Sequence, residues 1–234
     1  MAVNVDTVYQ RVLALANKEQ RGYITPQEFN LYANQAQMEI LEQYFYDINQ
    51  FGNLPGNSTE YSDMVGLIEK LNVLRVTNTY TVNAGVFNIS TITNMYKLGS
   101  IYNGIDEIEE INYNEYKLRR KSPLTDPQSF SAAALGNYMY YIQDGNINMH
   151  PIISGPIEIS YIRKPNKVVW GYVVLNEKAL YNAGAAVDFD LHHAEENELV
   201  YKILGYAGIT LKKPDVIQSS GALEIAKVQQ EKQG

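Results

Sequence analysis

The chain contains no cysteine. That absence removes disulfide staples, thiolate nucleophiles and cysteine-held metals, and with them any reading of the redox compartment. Positive charge is scarce as well: 19 Lys and Arg against 26 Asp and Glu leave a net charge of −7. A protein that grips nucleic acid by displacing counterions needs a basic face, so the balance argues against that class of activity. No uninterrupted apolar run is long enough to cross a bilayer. Polar and acidic residues interrupt the N-terminal stretch, which is not the pattern of a signal peptide. No Walker or dinucleotide loop occurs in the required strand-to-helix context, and there is no Gly-x-Ser-x-Gly elbow. Charged residues of both signs make up only 19% of the 234 residues, whereas tyrosine is present in 19 copies. Much of the surface must therefore be amide, hydroxyl and tyrosine. Tyrosine is rigid and amphipathic, and it is enriched where proteins meet other proteins.

The most informative local pattern runs from Asn17 to Phe29. As a calcium loop it would place Gly22 at the sixth position, Ile24 at the eighth and Glu28 at the twelfth. Its ligand positions one, three and five would then be Asn17, Glu19 and Arg21, and a guanidinium aimed at a cation is incompatible with binding. As a helix start the same residues need nothing further. Thr25 is the N-cap, Pro26 opens the helix, Glu28 closes a capping box, and Ile24 with Phe29 forms a hydrophobic staple. Apolar residues at helical spacing flank this corner: Val5, Val8, Tyr9, Val12 and Leu15 before it, and Tyr32, Ala33, Ala36, Ile40, Leu41, Tyr44, Phe45 and Ile48 after it. Gln35, Gln37, Glu39, Glu42 and Gln43 fall between them and read as the solvated face.

A turn-rich stretch, Gly52 to Ser58, is followed by a short helical pattern through Val65, Leu67, Ile68 and Leu71. The period then changes to two. Short β-branched or aromatic runs at Thr79–Val82, Val86–Ile89 and Tyr96–Tyr102 predict strands. Tyr138 to Ile142 and Asn146 to Met149 predict a hairpin turning at Asp144-Gly145, because a primed turn needs positive φ. Ile157, Ile159 and Tyr161 share a face of one more strand. Helical spacing returns after Asp188 through Leu199, Ile203 and Tyr206, with Gly208 as a stop and Pro214 as a further start. The order predicts an α+β fold in which terminal α-helices form a helical bundle with an inserted antiparallel β-rich domain. The divisions fall at 1–71, 72–170 and 171–234, the last piece completing the bundle and ending in a polar tail.

No catalytic constellation assembles along the chain, and neither enzymatic activity, a metal nor a cofactor is expected. His192 and Glu196 would share a helix face, as would His193 and Glu196, but a second zincin histidine is missing and acidic residues favour a first helical turn anyway. The acidic run Asp106, Glu107, Glu109 and Glu110 reads as a solvated helix face rather than a glycosidase pair. A basic run follows it: Lys117, Arg119, Arg120 and Lys121.

Two stretches resemble a known group. Val8 to Phe51, with Ala16-Asn-Lys-Glu-Gln-Arg-Gly-Tyr-Ile-Thr-Pro-Gln-Glu-Phe-Asn and Ala36-Gln-Met-Glu-Ile-Leu-Glu-Gln-Tyr-Phe-Tyr-Asp, is similar to the N-terminal region of neck or head–tail connector (ring or adaptor) proteins of podovirus-like phages, the crAss-like group included. Asp188-Phe-Asp-Leu-His-His-Ala-Glu-Glu-Asn-Glu-Leu-Val-Tyr-Lys-Ile-Leu204, followed by Ala-Gly-Ile-Thr-Leu-Lys-Lys-Pro-Asp, carries the second match. The resemblance implies a structural virion protein made in the bacterial cytoplasm. It would be a homo-oligomer, a dodecameric ring matching the portal, with the portal and other neck or tail proteins as partners and no membrane. DNA would pass through the channel without sequence-specific binding, and an acidic lumen would let it slide. In such a ring the acidic and basic runs, on opposite flanks, would set register between copies. Further contacts are expected from the segment Ser122 to Asn137, the hairpin residues Tyr138 and Tyr140, and the tail through Lys227, Gln230 and Lys232. The alternatives are another virion component (tail tube, baseplate or capsid-associated protein) or a non-virion binding module.

Overall fold

A computed structural model describes residues 2–18, 24–52, 58–121, 126, 138–210 and 222. The tail residues Lys227, Gln230 and Lys232, the expected helix start at Pro214, and most of the segment 122–137 lie outside the described residues. The helices are α1 (Val5–Lys18), α2 (Pro26–Gly52), α3 (Ser58–Asn72), α4 (Tyr113–Arg119) and α5 (Glu196–Thr210). The strands are β1 (Arg75–Val82), β2 (Val86–Asn88), β3 (Met95–Asn103), β4 (Asp106–Glu110), β5 (Met139–Gln143), β6 (Asn146–His150), β7 (Gly155–Arg163), β8 (Tyr172–Leu175) and β9 (Lys178–Tyr181). The fold is mixed α+β. The chain divides into two compact units, one comprising Met1–Leu74 with Pro165–Gly234 and the other Arg75–Lys164.

In the first unit the helix start at Thr25 forms as its residue types dictate. The Thr25 N–H and hydroxyl both donate to Glu28 Oε2, at 2.9 and 2.7 Å, and the Glu28 N–H donates back to Thr25 Oγ1 at 3.3 Å. That reciprocal arrangement satisfies amides the first turn leaves open. Ile24 and Phe29 are both buried, and the Tyr9 ring meets Phe29 edge-on at 4.8 Å. Asn4 caps α1 by accepting from the Thr7 N–H at 3.0 Å.

Three α2 amides behave differently from a solvated face. The extended backbone at 166–170 lies along the helix, and Asn30, Asn34 and Gln37 supply the partners that a neighbouring strand would. Asn34 accepts from Val168 N at 2.9 Å and donates to Val168 O at 2.8 Å. Asn30 accepts from Trp170 N at 2.7 Å, and Gln37 donates to Asn166 O at 2.9 Å while accepting from Asp190 N at 2.9 Å. Asp190 closes the set by accepting from Asn166 N at 2.7 Å. Gln37 is therefore buried, at 1% exposure, where amphipathic spacing placed it in solvent. The reason is geometric: positions 30, 34 and 37 lie one above another on the helix and match the repeat of an extended chain closely enough to bond alternate residues.

The clasped segment ends in Trp170, which donates from Nε1 to Asp6 Oδ1 at 2.9 Å and packs on Tyr9 at 4.2 Å between ring centres. A two-stranded hairpin, β8–β9, follows where only helices were expected after residue 170. Its turn, Asn176-Glu177, has positive φ at both residues but lacks the usual glycine, which hides it from turn chemistry. Helix α5 runs through Gly208 to Thr210 instead of stopping at that glycine. The His192-His193 pair is not helical: His192 caps a 3-10 turn, accepting from Ala194 N through Nδ1 at 3.3 Å, and α5 starts only at Glu196.

The second unit is a seven-stranded sheet in the order β1-β7-β3-β4-β5-β6-β2, antiparallel except for the parallel pair β4–β5. Its two end strands, β1 and β2, are consecutive in the chain and joined by the tight turn Ala84-Gly85, with Asn83 bridged to Val86. A sheet whose ends come together at one turn has to fold over on itself, as in an open barrel. One core accordingly contains inward residues of every strand, among them Val82, Phe87, Ile101, Ile108, Tyr140, Ile147 and Ile159. Gly85 is required at the closure. Its φ is +74°, and a Cβ there would lie 2.9 Å from the Met149 carbonyl oxygen. The Asp144-Gly145 turn has φ of 51° and 72°, the left-handed pair expected of it. The acidic run 106–110 is strand β4, not a helix face, because Ile108 faces Ile101 across the sheet and is buried.

Replacing Asn34 by leucine keeps its bulk but leaves the Val168 N–H and C=O without partners. The expected loss is about 3 kcal/mol, since each orphaned backbone group costs about 1–3 kcal/mol. Denaturant melts of Asn34→Leu would show it as a lowered midpoint, and Gln35→Leu, on the exposed face, should change the midpoint little.

Candidate interaction surface

Most of the charged residues singled out in the sequence fall on one face of the barrel, around β4, α4 and β5. The turn Gly104-Ile105 presents Ile105 at its tip, 97% exposed. Strand β4 then pairs in parallel with β5, Glu109 N donating to Tyr138 O and Ile111 N to Tyr140 O, both at 2.9 Å. Between those two strands the chain forms α4, whose Tyr116 buries with Ile111 and Met139 against the outside of the barrel.

This placement brings the acidic and basic runs together instead of setting them on opposite flanks. The Arg119 guanidinium holds Glu109 in a two-point contact, Nη1 to Oε2 at 2.8 Å and Nη2 to Oε1 at 3.0 Å, and also reaches Glu115 at 2.5 Å. Hydrogen bonds from Arg119 hold Glu109 below the ordinary carboxylate value, and those to Glu109 keep the guanidinium still more firmly protonated. Glu107, Glu110, Lys117, Arg120 and Lys121 are exposed around this pair, and Asp106 is half-buried. Lys117 Nζ sits 5.0 Å above the Tyr113 ring.

Beside the ion pair is an aromatic platform that sequence spacing did not reveal. Tyr113 and Tyr116 of α4 meet Tyr141 of β5 at 5.2 and 4.9 Å, and His150 of β6 stacks on Tyr116 at 4.6 Å with 25° between planes. Alternation along β5 explains the grouping: Met139 and Tyr141 point outward under α4, whereas Tyr140 points into the barrel. Tyr140, expected at an interface, is therefore a core residue. Burial, with Glu110 accepting from its hydroxyl at 3.3 Å, pushes the phenol well above its usual value. Tyr138 is half-buried against the same core. Burial, and then the charge of Arg120, lower His150 so that it favours the neutral ring, an effect Asp126 opposes.

A cleft of about 370 Å³ opens beside these groups, lined by Gly99, Ser100, Glu107, Glu109, Glu110 and Tyr140. Its carboxylate Glu109 is held charged and its phenol Tyr140 is held neutral, so neither exchanges a proton near neutral pH. The cleft offers hydrogen bonding and charge contact.

His192, by contrast, is spent on structure. Glu195, buried in the first unit, meets Lys70 at 2.6 Å, and Glu196 meets Arg11 at 3.0 Å, while His192 serves as the cap of its turn. Among the described residues, no three His, Asp or Glu side chains gather as metal ligands would, and no helix is long and apolar enough to cross a membrane. No family model matches the chain, and no curated protein matches it.

Arg119→Ala should destabilise the barrel by about 1 kcal/mol, the upper range for an exposed pair, given its two-point geometry. Folding depresses the Glu109 pKa, so the pair contributes above the ordinary carboxylate value of about 4.3 and fades as pH falls through the lower folded value. Urea melts of wild type and variant should therefore differ at pH 7 and converge near the acid limit. An undiminished difference there would assign the effect to packing of the arginine stem.

Proposed function

We propose that this chain is a structural protein of the tailed-phage virion neck, forming a ring between portal and tail, dodecameric by the resemblance. Its work is mechanical. Repeated contacts between copies extend the DNA channel, and the ring gives the tail a platform, with DNA passing an acidic wall that does not hold it. In this reading the helices of the first unit form the bundle that carries both resembling stretches, 8–51 and 188–215, and the barrel is the inserted element.

The observation that carries the reading is the make-up of the barrel face. Its ion pair and aromatic platform are held by contacts within the unit, and the same unit exposes apolar side chains at Ile105, Leu118, Ile142 and Ile152. A preorganised aromatic centre with apolar projections and a charged rim is what a protein contact uses. Lys117, Arg120 and Lys121, with Asp106, Glu107 and Glu110, supply rim charge that selects register between partners. The tail residues Lys227, Gln230 and Lys232 are proposed to reach an adjoining ring.

Quantitative mass spectrometry of gradient-purified virions tests this directly. The expected copy number is close to that of the portal. A clearly different ratio would move the protein to the tail tube, baseplate or capsid shell, and absence from particles would reject the virion reading in favour of a binding module.

A further inference from the structure

The hairpin β8–β9 stands out in the first unit because, among the described residues, no third strand flanks it. Its strands read Tyr172-Val-Val-Leu175 and Lys178-Ala-Leu-Tyr181, and their pairing is regular from end to end, without a bulge. Neither strand has a second strand beside it among the described residues. Val173, Val174, Leu175 and Leu180 are each half or more exposed. A lone two-stranded hairpin is marginal in water, and edge strands are normally guarded by charge, proline or irregularity. Here the only charges are Glu177 in the turn and Lys178 next to it.

The hairpin is nevertheless held in a fixed direction. Tyr172 stacks on Trp170 and Tyr181 packs on it at a tilt, with ring centres 6.0 and 5.7 Å away, and Asn182 N donates to Gly171 O at 2.8 Å. A Cβ on Gly171 would lie 2.6 Å from the Ala185 carbonyl carbon, so the base admits no other residue without rearrangement.

We propose that the occupant of these edges is the hairpin of a second copy of this chain, β9 of one copy pairing with β8 of the next. The proposal rests on the ring reading and adds its contact. Copies related by rotation keep their strand directions, so β9 beside the next β8 is antiparallel, as β8 and β9 already are within one chain. One junction, repeated, uses both free edges of every copy and closes into a continuous antiparallel belt. A two-fold β8–β8 contact would leave β9 bare. Charge agrees with the head-to-tail choice: Glu177 and Lys178 alternate in sign around the tips, bringing Lys178 of one copy towards Glu177 of the next, and no like charges meet along the strands.

The absence of native cysteine makes the test clean. Val173→Cys and Leu180→Cys are prepared as separate full-length variants, mixed, assembled, and treated with a short bismaleimide that tolerates a stagger of two residues. The belt requires covalent dimer in the mixture and little in either variant alone. Dimer from Val173→Cys alone would indicate a two-fold contact and overturn it. Assembly size is read in parallel by analytical ultracentrifugation. Rings that form without mixed cross-linking overturn the belt and leave the ring standing, whereas no assembly overturns both. Val174→Lys, at a position 62% exposed and therefore tolerant in the monomer, should weaken self-association at least about tenfold. Unchanged association would also reject the proposal.

Discussion

An extended backbone leaves a donor or an acceptor at every residue, and a helix surface ordinarily has nothing regular to offer it. The first unit meets that constraint with three side-chain amides. Asn30, Asn34 and Gln37 bond alternate residues of the segment 166–170, and Asp190 ties the same segment to the chain leading into α5. An amide can donate and accept at once, which an aliphatic, hydroxyl or carboxylate side chain cannot do in the same geometry. Much else depends on this clasp. It sets Trp170 against Tyr9 and Asp6, and Trp170 in turn carries the two tyrosines at the base of the β8–β9 hairpin.

The barrel obeys a different constraint, set by its two end strands. Because β1 and β2 are joined by a two-residue turn yet end opposite sides of the strand order, the sheet cannot lie flat and folds over on itself. Folding over turns one residue in two inward and leaves the others facing out. That alternation separates Tyr140, committed to the core, from Tyr141, committed to the platform under α4. The parallel pairing of β4 with β5 needs a crossover, and α4 lies within it, so the basic run is delivered onto the acidic strand. A charge-rich surface thereby becomes a self-consistent one, with Arg119 at its centre.

Buried charge is handled similarly in the first unit. Glu195 meets Lys70, and Lys202 bonds Glu39, which also accepts from Tyr206. Such pairs contribute little net stability over apolar replacements, but breaking one leaves a buried charge uncompensated. They therefore specify which helix faces meet. Of the groups with metal-ligand spacing in the sequence, His192 proves to be a turn cap and Glu195 and Glu196 ion-pair partners. Local spacing alone cannot distinguish these uses.

What the sequence determined by itself was local. The capped start at Thr25, most of the buried stripes of α1 and α2 (Leu15 is exposed), the Asp144-Gly145 hairpin and the mixed α+β character were legible because each is decided within a few residues by sterics, capping and hydrophobic period. Gln37 was misjudged because its partners, Asn166 and Asp190, are more than a hundred residues away. The β8–β9 hairpin escaped because Asn176-Glu177 takes up left-handed φ without a glycine to announce it. Residues 106–110 were read as a helix face, and they form a strand because Ile101 supplies a pairing partner for Ile108. Only the tertiary structure decided that the two charge runs meet, that Tyr140 is core and Tyr141 surface, and that the sheet folds over on itself. Each of those outcomes depends on contacts between residues distant in the chain, whose register a local pattern does not encode.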